Sequence, residues 1–187
     1  MHEMRRAVLA VADLMALAAR TAPKGKGVDT IILKIISGDE LNLLASHLES
    51  LGREHKIGFF LRDAQNIAAS DACLIVGSKG AMMVGVNCGA CGYASCDEFE
   101  TACRGRARAP ARFSGPNCAI RMTDLGIAVG SAVKTAQIHN VDNRIMYSGG
   151  VAAVDLGLLG GECTVAYAIP LAATGKNIFF DRIVVRQ

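Results

Sequence analysis

Residues 87–96 read Asn-Cys-Gly-Ala-Cys-Gly-Tyr-Ala-Ser-Cys, and a fourth cysteine, Cys118, follows Gly115-Pro116-Asn117. No other feature restricts the fold as strongly. Three thiols at C-x2-C-x4-C spacing, if they meet a fourth at one point, leave the chain around them few paths. Thiolates are soft ligands that select zinc, copper(I) or iron–sulfur centres. Gly89 and Gly92 each follow a cysteine, so the backbone there is free to wrap tightly around something bulkier than one ion.

The pattern predicts a [4Fe–4S] cluster on Cys88, Cys91, Cys96 and Cys118, carried by an inserted subdomain over residues 85–120. A helix expected to start near Asp97 would turn its positive end toward that centre. The spacing is neither the C-x2-C-x2-C nor the C-x4-C-x2-C order. Cys103 competes with Cys118 as fourth ligand. In a helix over 97–105, however, it lies ~10 Å along the axis from Cys96, so Cys118 is preferred. Zinc would call for a second C-x2-C knuckle, which is absent. A dithiol at Cys88 and Cys91 leaves Cys96 unexplained. Cys73 and Cys163 sit inside apolar runs and read as small buried hydrophobes.

Composition narrows the remaining choices. The chain has 187 residues, half of them apolar, no Trp and a net charge of +3, which predicts one packed domain over 1–187 and no nucleic-acid partner. Seven cysteines, an odd number grouped beside glycines, suit ligation in a reducing cytoplasm rather than a disulfide framework. No apolar run is long enough to span a membrane. Helical spacing predicts an amphipathic helix over 2–20, a loop over 21–27, a buried strand over 30–36 and a helix capped by Ser37 with Glu40. Leu41, Leu44, Leu48 and Leu51 form that helix's buried stripe. Further elements are expected over 60–69 (helix), 72–77 (buried strand), 123–140 (helix capped at Thr123-Asp124), 144–159 (helix), 163–171 and 178–185 (strands). Strands alternating with helices predict a layered α/β (α+β) domain.

Other charged groups are less specific. Neither Gly25-Lys26 nor Gly175-Lys176 completes a P-loop, so Lys24, Lys26, Lys176 and Arg182 are read as loop cations or single phosphate contacts. Arg104, Arg106, Arg108 and Arg112 place positive charge near an anionic cluster. They would balance it, dock an acidic electron carrier such as a ferredoxin or flavodoxin, or simply be solvated. Asp142, Asn143, Arg144 and Tyr147 line a pocket or form a turn. The four histidines, at positions 2, 47, 55 and 139, are read as surface residues.

Two resemblances add to this reading. The run Cys-Gly-x-Cys-Gly-Tyr-x-x-Cys resembles the four-cysteine domain of the corrinoid iron–sulfur protein's large subunit and of the B subunit of Rnf electron-transport complexes. In that domain the late Cys is followed by Pro, whereas Pro116 precedes Cys118 here. Across nearly its full length the chain also resembles uncharacterised prokaryotic proteins containing a ferredoxin domain. The segments that carry this are Ala-Ala-Arg-Thr-Ala-Pro-Lys-Gly-Lys-Gly-Val-Asp at 18–29, the 88–96 run, Asp-Leu-Gly-Ile-Ala-Val-Gly-Ser-Ala-Val-Lys at 124–134, Asp-Asn-Arg-Ile-Met-Tyr-Ser at 142–148 and Pro-Leu-Ala-Ala-Thr-Gly-Lys-Asn-Ile at 170–178.

A fainter similarity, through residues 10–50 and Ala-Ala-Val-Asp-Leu-Gly-Leu at 152–158, runs to the nitroreductase fold. That resemblance implies a homodimer and an FMN site with Arg20, Lys24, Gly157 and Lys176 as contacts. The fold's early Arg-Ser-x-Arg signature is missing, and its Asn after Ala-Pro falls on Gly27. Together the resemblances imply a redox protein, an electron carrier or a flavin-dependent oxidoreductase. The alternative is a binding or sensor module in which the cluster is structural.

Overall fold

The computed structural model describes residues 4–105 and 107–180. Its centre is the apolar run expected at 72–77, which forms strand β2 (Ala72–Ser78) and is buried at every position. On one side β1 (Ile31–Ile36) pairs antiparallel with it, Ile31 opposite Ser78 and Ile36 opposite Cys73. On the other lies β4 (Val165–Ala172), also antiparallel, with Ala72 opposite Leu171. The two-residue β3 (Asp142–Asn143) completes the sheet, in the order β1-β2-β4-β3.

Side chains alternate across a strand, so β2 feeds two cores. Ala72, Leu74 and Val76 meet α1 (Arg5–Thr21) and α5 (Ala119–Ile138) through Val8, Met15, Leu125 and Ala132. Cys73 and Ile75 meet α2 (Asp39–Glu54), α3 (Gly58–Ala68) and α6 (Tyr147–Asp155) through Leu44, Leu48, Phe60 and Val151. The result is the expected layered α+β domain, helices covering both faces of one sheet. Among the described residues no helix is long and apolar enough to cross a membrane.

Several local expectations need correction. β1 is an edge strand, buried at Ile31 and Ile36 but half-exposed between them, so 30–36 is not a fully buried strand. Ser37 does not cap α2: Gly38 is the cap residue, with no side-chain cap bond, and Glu40 instead pairs with Lys34 at 2.7 Å. α5 begins at Ala119 rather than Thr123, with Cys118 in the cap position and Asp124 buried inside the helix. The helix expected over 144–159 is shortened to α6 by β3 and the bridge between Met146 and Ala168. Residues 178–180 form a turn, and β3 occupies the place given to a fourth strand. The rest of that expected strand (181–185), Arg182, Arg106, His2 and the start of the first helix lie outside the described residues.

Gly149 and Gly150 explain how α6 sits on the sheet. A Cβ on Gly150 would lie 1.9 Å from the Ala166 carbonyl oxygen, and one on Gly149 2.7 Å from Ala168 Cβ. The glycines cost helix propensity but let the helix touch β4.

Candidate functional site

Between β2 and α5 the chain leaves the sheet and carries the cysteines over residues 79–118. Four residues ahead of the next helix turn it through left-handed backbone: Gly85 (φ 75°), Asn87 (φ 48°), Gly89 (φ 70°) and Gly92 (φ 85°). The chain then enters α4 (Cys96–Cys103), whose start is a reciprocal cap. The Glu98 amide donates to Ser95 Oγ at 3.2 Å, and the Glu98 carboxylate accepts from the Ala94 amide at 3.1 Å. Cys96 therefore stands at a helix N-terminus, where the aligned peptide dipoles favour negative charge. Asn87 fixes it from both directions: its amide donates to Cys96 Sγ at 3.4 Å, and its Oδ1 accepts from the Cys96 amide at 2.8 Å. Cys118 is held at the other end of the segment, its amide donating to Gly80 O at 2.8 Å.

Cys88, Cys91, Cys96 and Cys118 all line one pocket, with Val84, Phe99 and Ile120 among its apolar walls. Cys88 is exposed and Cys118 buried, with the other two between these extremes. Cys103, at the C-terminal end of α4, directs its sulfur to Pro116 O at 3.7 Å and does not line this pocket. Among the described residues no three His, Cys, Asp or Glu side chains close to the distances of a single bound ion. Four thiols, an amide aimed at one sulfur and a helix N-terminus form a donor set suited to a soft, anionic centre. The remaining thiols differ in kind. Burial pushes Cys73 up to about 12 and Cys163 to about 11, so both stay protonated and inert.

The four residues that the nitroreductase resemblance implies for FMN are not brought together within this chain. Arg20 donates to Asp29 and to Ile31 O (2.8 Å). Lys24 is turned inward onto the Ala19 and Arg20 carbonyls at the end of α1. Burial would raise the Asp29 pKa, but the Arg20 hydrogen bond, the Ile31 amide and the charges of Arg20 and Lys24 outweigh it and hold it below the usual carboxylate value. Gly157 lies beyond α6 on the opposite face of the sheet, in a pocket with Arg108 and Cys163. Lys176 follows β4, at the far end of the strands from Arg20.

The basic stretch is partly consumed by internal pairs. Arg104 is 3.8 Å from Glu100, and Arg108 pairs with Asp155 of α6. The second oxygen of Asp155 meets His47 Nε2 at 2.7 Å, a contact between residues too distant in sequence for spacing to reveal. Burial and the Arg108 guanidinium outweigh that carboxylate and keep the His47 pKa below its ordinary value. Asp142 accepts from Asn177 at 2.9 Å, and Arg144 donates to Phe179 O at 3.3 Å and lies over the Phe180 ring. Asp142 and Asn143 line a pocket with Gln137, Asn140 and Asn177, whereas Arg144 and Tyr147 are not part of its lining. Asn87 and the buried Arg121 went unassigned in the sequence. For Asn87 the one signal is its place immediately before Cys88.

The fold is nitroreductase-like. Nitroreductase CinD from Lactococcus lactis, solved in complex with nicotinic acid, matches with a TM-score of 0.60 at 11% identity, over 94% of this chain and 81% of that one. A putative nitroreductase from Desulfovibrio desulfuricans, solved in complex with FMN, matches with a TM-score of 0.56 at 14% identity, over 90% and 75%. Identities this low carry the fold alone. Sequence carries the family. An uncharacterized protein of Archaeoglobus fulgidus is 47% identical over 169 residues, 90% of this chain and 88% of that protein. The family described as uncharacterized protein containing a ferredoxin domain (DUF2148) matches residues 114–182, and this chain belongs to it.

Proposed function

We propose that this protein is a cytoplasmic iron–sulfur redox protein, an electron carrier or oxidoreductase on a nitroreductase-like body. Cys88, Cys91, Cys96 and Cys118 would hold a [4Fe–4S] cluster, and residues 85–120 would be the unit that carries it. The observation that supports this most is the lining of one pocket by these four thiols, while Cys73 and Cys163 stay buried in the core. Once bound, such a cluster takes up and returns single electrons.

The protein's own residues prepare the site. The Asn87 amide donates to the Cys96 sulfur, and Cys96 lines the pocket. Ser95 and Glu98 hold the α4 terminus in place behind it. Val84 and Phe99 keep the inner wall dry, and exposed Cys88 faces the side from which a partner would approach. Arg112, exposed near this segment, suits an acidic electron carrier such as a ferredoxin or flavodoxin.

A flavin is the second part of the proposal. The fold's FMN-bound relatives support it, and Arg20, Lys24, Gly157 and Lys176 are its contacts. Because one chain holds them at separate places, a homodimer would have to complete the site. Anaerobic purification with iron, sulfide and flavin quantified together tests the reading. About four irons and four sulfides per chain are expected, with reversible one-electron reduction. Stoichiometric zinc, or iron without sulfide, overturns it. A cluster that dithionite cannot reduce would favour the structural or sensor role instead.

A further inference from the structure

Arg121 is the largest fully buried side chain in the described structure, 2% exposed, and nothing in the reading above uses it. It stands one helical turn into α5 from Cys118, next to Ile120 of the pocket wall. Its guanidinium gathers backbone from two loops. Nε donates to Met82 O at 3.1 Å, and Nη1 donates to Val28 O at 3.0 Å and Gly25 O at 3.3 Å. Nη1 also meets Asp124 Oδ2 at 3.1 Å, and the other Asp124 oxygen accepts from the Gly25 amide at 2.9 Å.

One of these loops lines the cysteine pocket and the other packs behind its wall. Met82 precedes Met83, Val84 and Gly85, which line it. A Cβ on Gly25 would lie 2.8 Å from Ile120 and 3.7 Å from Val84, so that loop backs the same wall. Lys26 closes the contact from outside, donating to Gly85 O at 3.1 Å.

A buried ion pair, here one turn apart on the same helix, is weak evidence for stability, because desolvation offsets its attraction. This one lies behind a site built for an anionic centre, where surrounding charge and hydrogen bonding set the reduction potential. We propose that Arg121 and Asp124 are positioning residues for that centre: the pair holds the Met82–Gly85 wall and balances opposite charges behind the thiols, tuning the cluster's potential. The inference rests on the cluster reading above.

Reduction adds negative charge. Asp124→Asn removes a nearby anion and should raise the midpoint potential, while Arg121→Met removes the cation and should lower it. Arg121→Lys keeps the charge but loses the fork, so its potential should stay near wild type although the Met82 and Val28 contacts weaken. The measurement is a spectroscopically monitored redox titration of the anaerobically reconstituted full-length protein. Thermal unfolding and hydrogen exchange of the metal-free forms at 24–28 and 80–86 are recorded beside it. Opposite shifts in Asp124→Asn and Arg121→Met, with faster exchange in both loops for Arg121→Lys, support the proposal. Equal potentials, or shifts of the same sign, overturn it while leaving the cluster in place. If Arg121→Met does not fold, Asp124→Asn decides alone: an unchanged or lowered potential is the negative result. Failure of the wild type to take up iron and sulfide sinks the cluster reading itself.

Discussion

Leu44, Leu48, Ile67, Leu74 and Ile75 are completely enclosed by the sheet and its five flanking helices, whereas residues 79–118 gather just Val84, Phe99 and Cys118 into a core of their own. Fully burying such a side chain contributes about 1.5–3 kcal/mol, and ordering each residue's backbone costs about 1–2 kcal/mol. The sheet body meets that cost through apolar packing. The cysteine segment cannot, and relies on directed contacts: the α4 cap, the Asn87 pair, the Arg121 clamp. A region organised that way keeps its shape through a few specific bonds, so damage to either region should leave different signatures.

The severest test of the body is Gly150→Ala. The new methyl would meet the Ala166 carbonyl, fixed in β4, and neither partner can yield without parting α6 from the sheet. Loss of the cooperative thermal transition is expected. Alanine at Gly175, where nothing lies within 4 Å, should leave the transition in place, and equal behaviour of the two would refute the packing argument.

For the cysteine segment, Cys118→Ser should abolish iron incorporation after anaerobic reconstitution, with the body's unfolding transition retained. Cys103→Ser, outside the pocket lining, should load normally. The reverse pattern would reassign the fourth ligand.

Two apolar truncations sharpen the contrast. Leu48→Ala should cost ~2–5 kcal/mol in urea unfolding yet leave iron per folded chain unchanged. Phe99→Ala should reduce iron uptake several-fold and move the global transition less. Similar profiles for both would mean that the regions unfold as one unit.

The smallest effect concerns pH. His47 is held below its ordinary value, so the unfolded chain binds the proton more readily. The stability from neutral His47 is full above the ordinary pKa of about 6.5 and is lost as pH falls toward the folded value. His47→Gln should flatten the stability profile across this window. An unchanged slope would show that the burial of His47 and the nearby Arg108 charge contribute nothing to it.

Much of the body could be read in advance because its signals are local. The stripe of Leu41, Leu44, Leu48 and Leu51 on α2, and the apolar run of β2, each state their own periodicity. What was misread depended on neighbours. Residues 30–36 look like a buried strand until β1 proves to be the edge, and Thr123-Asp124 looks like a cap until Asp124 is found bonding Gly25 from inside α5. Gly149-Gly150 falls inside the helix expected over 144–159, but the reason for glycine there is visible only once β4 is placed beneath it. Of the site, the four thiols were legible from spacing. Their supports were not, since Arg121 and His47 find their partners across long stretches of chain.

By itself the sequence determined that four thiols stand at ligand spacing on an apolar, helix-and-strand chain, because side-chain chemistry and periodicity travel with the residues. Only the tertiary structure decided which strand is central, which charges are buried together and which loops wall the pocket. Those choices follow from burial and from backbone groups that need partners, and the partners are supplied by segments far apart in the chain.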